Sequence, residues 1–246
     1  MNGETAMLMT MAILCAAAFG MFFTVPFFAR RFPKFMPADA GTAVVRAFHI
    51  PRFASPENDP ERRKLRKKLW LKLIGAGFLW GIFGAGSVLF MIREDCSLTF
   101  VLMLWISGLL ASIDEKIHLL PDVLTIPLMI SGFLFSACSV SGVTPVASAC
   151  GAAAGFLMPT LAAVVITPFR PRAMGFGDFK MLAGLGAWTG FPVLSVTIFL
   201  SFVFFVLIAA AKRSKTGPYG FSLFFAQIAA LILNAKGVID LLFFVV

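Results

Sequence analysis

The sequence predicts an all-α, polytopic membrane protein of about eight transmembrane helices, and three observations predict it. Hydrophobic residues make up 59% of the 246 and charged ones 13%, with a mean hydropathy of +0.92. That leaves too little polar surface for a water-soluble domain of this length. Apolar runs long enough to cross a bilayer, roughly 17–25 residues, recur along the chain. All of the 21 Lys and Arg except Arg93 and Lys236 fall in stretches that alternating spans would put on one side.

The first span covers about 5–29. A polar segment of about 30–69 follows, with five prolines and the run ERRKLRKKLW, and reads as a cytoplasmic loop between helices 1 and 2. Residues 70–246 then form the membrane core. Its second span covers about 70–92 and ends at the polar RED of 93–95. The third covers about 97–113, the fourth 123–141 and the fifth 144–167. A short, glycine-interrupted sixth segment runs from Asp178 to about Gly190, ended by Phe191 and Pro192. The seventh covers about 193–211 and the last begins near Phe221.

Charge supports this order. The stretches 30–72, 114–122, 168–180 and 212–220 carry the basic residues, so the positive-inside rule makes them cytoplasmic and puts both termini outside. The same rule accounts for the net charge of +9 without nucleic acid, since no aromatic-interleaved basic face accompanies it. The run 62–68 reads as a face for anionic lipid. No basic residue precedes the first apolar run, which argues against a cleaved signal peptide, and Leu14 before Cys15 argues against a lipoprotein box. Cys15, Cys138 and Cys150 lie in apolar runs and read as small buried hydrophobes; Cys96 lies near a surface. None forms a CxxC pair, so neither a disulfide framework nor a zinc site is expected.

Two stretches carry chemistry. IDEKIHLLPDVLTIPL (113–128) places Asp114 where the third span ends, and GFGDFK (175–180) places Asp178 where the sixth begins. Alternation brings both to one membrane face. Taken singly, Asp178 reads as a helix cap and Asp114 as the charge that stops a span. Taken together, two carboxylates at one depth are expensive, and such groups tend to be functional. Carboxylates brought close keep one proton between them, the state that water-driven hydrolysis by two acids requires. Gly175 and Gly177 leave room for close backbone approach. Lys180 reads as a partner for Asp178, a guide for an acidic substrate residue, or an interfacial anchor. Asp122 reads as a cap for the fourth span, and Lys236 and Asp240, four residues apart, as a helix-face pair or two external charges. Glu115, Lys116 and His118 read as a solvated turn, and His49 has no partner in sequence. The competing reading of the acids is a proton-coupled transporter, which more often places such groups near the midplane.

The two stretches together resemble the catalytic segments of type IV prepilin peptidases. The DxxxxLLPD pattern of 114–122 is similar to the first, GFGDFKMLAGLGAWTG (175–190) to the second, the GxGD motif of membrane aspartyl proteases, and GPYG (217–220) adds to the likeness. The resemblance implies a catalytic pair of Asp114 and Asp178, with Gly175, Gly177 and Lys180 in support. It implies an active site facing the cytoplasm in a bacterial inner membrane. The substrate would be a prepilin or pseudopilin of a pilus or secretion system, cut after the Gly ending a basic leader. No cofactor is implied for proteolysis. Many members carry two CxxC pairs in the first cytoplasmic loop, resembling a zinc site, and this chain has no cysteine between Cys15 and Cys96. Members often also methylate the new amine with S-adenosylmethionine, which stays open here.

Overall fold

The structure is a computed structural model, and it describes residues 3–35, 47, 60–166, 175–212 and 219–243. His49, the prolines between 37 and 56, the loop 168–174 and residues 213–218 lie outside the described residues. All regular structure among those described is helical: α1 (Gly3–Phe23), α2 (Val25–Phe35), α3 (Pro60–Arg93), α4 (Thr99–Ile117), α5 (Asp122–Ala137), α6 (Pro145–Ile166), α7 (Phe176–Lys212), α8 (Tyr219–Ala235) and α9 (Val238–Phe243). The chain divides into two compact units, Met1–Phe90 and Met91–Val246.

In the first unit, α1 and α2 meet at Thr24 and together supply one apolar stretch, Thr5–Phe32, long enough to cross a bilayer. Phe19, Phe22 and Phe23 press onto a glycine stripe of α3. A β-carbon at Gly77, Gly81 or Gly84 would come within 2.8, 2.6 or 2.5 Å of these rings. Small residues at such spacing let helices approach in lipid, where burial of apolar surface supplies no drive. Past Thr24, Val25, Phe28, Ala29 and Phe32 are buried, so the apolar face of α2 carries the helix beyond residue 29. The helix α3 begins at Pro60, so the basic run expected in a loop is helical. Pro suits a first helical position, and Glu, Arg, Lys and Leu are good helix formers.

In the second unit, α7 is the hub, packed by α5, α6 and α8. It is two limbs, not one rod. Gly190 takes φ 72° and ψ 176°, and Pro192 cannot donate an N–H to the preceding turn. Tyr219 bonds Ser201 and packs on Phe205 in the second limb, while the Asp178 charge reaches it from the first. Gly190 thus divides the helix into two limbs, 176–189 and 191–212. They cover the stretches expected as the sixth and seventh spans, within one apolar helix of Phe176–Ala211. The limb 176–189 crosses α6 backbone to backbone: a β-carbon at Gly151 or Gly186 would lie 2.2 Å from the carbonyl oxygen of the other. It docks on α5 through Trp188, fully buried, whose Nε1 donates to the Leu128 carbonyl at 2.7 Å.

Thr5–Phe32, Lys67–Arg93, Pro145–Val165 and Phe176–Ala211 are long and apolar enough to span a membrane, and α5 and α8 are shorter apolar helices. The chain is an all-α polytopic membrane protein. Cys138 and Cys150 are exposed, contrary to the reading of both as buried. An apolar run in a bilayer turns part of its surface to lipid, so apolar neighbours in sequence do not imply burial against protein. Lys236 bonds Glu94 at 2.6 Å.

Candidate active site

Asp114 lies in the last turn of α4. Its helix stops four residues on, where His118 enters the left-handed region (φ 51°, ψ 41°) and donates its N–H to the Asp114 carbonyl at 2.9 Å. The chain then runs through Leu119–Leu120 to Pro121, extended at φ −73° and ψ 135°, and Asp122 opens α5. The Asp114 side chain is 6% exposed, and its Oδ2 accepts the Gly220 backbone N–H at 2.8 Å. A buried carboxylate needs such a donor. Gly220 leaves little room for a side chain there. A β-carbon would stand 3.0 Å from that oxygen and 3.1 Å from the Asp114 β-carbon.

Asp178 is the third residue of α7. Its Oδ2 accepts the Gly175 N–H at 3.2 Å, while its own N–H donates to the Gly175 carbonyl at 3.1 Å. A third-position acid reaching back to the residue before the helix is the second half of a capping box, so Asp178 does help to start its helix. It does more. Asp114 is a charged neighbour of Asp178, and the two acids, far apart in sequence, lie in the last turn of α4 and the first turn of α7. Tyr219 stands beside them, its hydroxyl paired with Ser201 and within the field of Asp178.

The remaining candidates frame this pair. Gly177 packs on the turn after α4, where a β-carbon would come 2.8 Å from that of Leu120. Gly175 is exposed, with the Asp178 carboxylate nearest. Lys180 holds Asp122, its Nζ 2.7 Å from Oδ1 and 2.8 Å from Oδ2, and lies 5.1 Å from the Phe176 ring centre. Asp122 is thus the first helical residue of α5 and an ion-pair partner, with Pro121 in the capping position. Sequence reasoning gave no role to Gly220 or Tyr219. The available signal was GPYG itself, a second glycine-bearing turn opening an apolar helix.

The fold defines a polytopic membrane protein, with Asp114 and Asp178 as its candidate site. Residues 98–210 match the model of the type IV leader peptidase family. The chain is similar to proteins named prepilin leader peptidase/N-methyltransferase. The one from Aeromonas salmonicida is 35% identical over 50% of this chain and 45% of its own length. That from Klebsiella pneumoniae is 43% identical over 38% of this chain and 41% of its own, and that from Neisseria gonorrhoeae 37% identical over 45% and 38%. The chain thus matches less than half the length of these curated relatives. No solved structure matches it. Asp114 and Asp178 lie inside the family match, and Gly220 lies beyond it.

Proposed function

We propose that this protein is an aspartyl endopeptidase that removes the basic leader of a type IV prepilin or pseudopilin. In this reading it cuts after Gly, at the cytoplasmic face of a bacterial inner membrane. The observation that supports it is that Asp114, buried at the end of α4, is a charged neighbour of Asp178 at the start of α7. Two such carboxylates share one proton. The ionised one takes a proton from water as its oxygen attacks the scissile carbonyl carbon. The protonated one gives its proton to the carbonyl oxygen. Collapse of the tetrahedral intermediate returns a hydroxyl proton to the second acid and breaks the C–N bond, and the amine leaves with the proton held by the first acid. No cofactor enters any step. The positive-inside distribution supports the sidedness, and the likeness to proteins named prepilin leader peptidase supports the substrate class.

Co-expression with a candidate prepilin tests the reading. Asp114→Asn and Asp178→Asn should each leave the precursor uncleaved while the enzyme stays inserted; normal processing by either variant refutes the two-acid mechanism. S-adenosylmethionine would supply the methyl group if the new amine is also methylated. Mass spectrometry of the mature N-terminus decides this, and a 14 Da increment is the sign to look for (roughly one CH₂, as in any added methylene).

A further inference from the structure

The segments bearing the two acids are tied together a second time, outside the pair itself. Lys180, two residues past Asp178, reaches across to both oxygens of Asp122, the residue opening the helix after the Asp114 turn. Beside this, Gly177 packs on Leu120. One point of contact lets two helix ends rock about it, whereas two points fix their angle and separation.

Helix geometry turns Lys180 away from the acid. Residues two apart lie about 200° apart around an α-helix, and the Lys180 ammonium meets Asp122, with Phe176 beneath it. Macrodipoles sharpen the asymmetry. Asp122 sits in the first turn of α5, where an anion is favoured without help. Lys180 sits near the start of α7, where a cation is not favoured, so its placement depends on Asp122. The pair is partly exposed, with the Lys180 side chain 29% and the Asp122 side chain 54% accessible. Exposed pairs add little to stability. What this one supplies is position.

Building on the peptidase reading, we propose that Lys180 and Asp122 are positioning residues. Their ion pair latches the GFGD helix to the turn after Asp114 and holds the two carboxylates at working separation. Displacements of about 1 Å at a reacting centre cost up to about 100-fold in rate, so loss of the latch lowers turnover without weakening substrate binding.

The experiment is steady-state cleavage of a prepilin by detergent-purified Lys180→Met, Asp122→Asn and the reversed pair Lys180→Asp with Asp122→Lys. We expect each single variant to lose about tenfold or more in kcat, with KM and the thermal midpoint nearly unchanged. The reversed pair should recover to within about threefold of the parent, since it restores an attraction of the same reach. Three results overturn the proposal: Lys180→Met cleaving at the parent rate, Lys180→Met raising KM with kcat intact, or a reversed pair no better than the singles. The second would make Lys180 a substrate contact. If the reversed pair does not insert, cysteines at 122 and 180 joined by a short bis-maleimide replace it. Faster cleavage by the joined form supports the latch, and no difference refutes it. Asp178→Asn serves as control: should it still cleave, the peptidase reading falls, whereas failure of the swap with Asp178 essential removes only the latch.

Discussion

Gly220 donates its backbone N–H to Asp114 Oδ2 across 2.8 Å, joining the start of α8 to the end of α4. The donor is main chain, so substitutions at 220 other than proline keep it. A side chain does crowd the acceptor. In Gly220→Ala the new methyl would stand 3.0 Å from the carboxylate oxygen and 3.1 Å from the Asp114 β-carbon, and the acid must move. Prepilin cleavage by Gly220→Ala should fall by about 10- to 100-fold in kcat, with the protein still inserted. Cleavage at the parent rate would show that Asp114 tolerates the shift.

Gly190 offers the opposite case, a glycine with space but strained backbone. Its φ of 72° is the left-handed region, while a β-carbon there would meet Ala147 and Val143 no closer than 3.6 Å. With ψ 176° this is a backbone conformation essentially reserved for glycine, so Gly190→Ala costs the conformational penalty alone, about 1–3 kcal/mol. Thermal unfolding in detergent should register that loss. Because the break between the two limbs turns on this residue, Gly190→Val should cost more, through its branched β-carbon.

These two glycines mark how far the sequence alone reaches. The break at 190–192 is legible because a positive-φ glycine and a proline are local signals. The polytopic all-α class is legible because apolar length is a property of segments. The position of Asp114 and Asp178 at helix ends is legible because carboxylates there stand out against apolar surroundings. What is not legible is pairing across distance. The Gly220 bond closes a gap of 106 residues and the Lys180–Asp122 pair one of 58, and nothing near either residue names its partner. The helical start of α3 was hidden for a different reason: its charges look like loop while its residue types favour helix.

Gln227 is 1% exposed in α8, and neither its amide oxygen nor its nitrogen has a hydrogen-bond partner among the described residues. An unpaired buried amide costs about 1–3 kcal/mol. Gln227→Leu, similar in volume, removes both polar atoms together. The thermal midpoint should rise or hold, with cleavage unchanged. A lower midpoint would mean that the amide is satisfied in the membrane.

Cys96 tests the sidedness on which the active-site reading rests. It lies between α3 and α4, in the stretch that the positive-inside rule places outside. Burial pushes its thiol above the ordinary range, with Glu94 and Asp95 adding to the effect. The reactive species is the thiolate, so a raised value means less of it at neutral pH and slow labelling. A membrane-impermeant maleimide added to spheroplasts should therefore modify Cys96 slowly near pH 7 and faster as pH rises. Glu94→Gln with Asp95→Asn removes both opposing charges and should speed the reaction at fixed pH. The comparison is best made in a variant with Cys138 and Cys150 replaced, since both are exposed. Labelling of Cys96 only after the membrane is opened would put this loop inside, and with it would place Asp114 and Asp178 on the outer face.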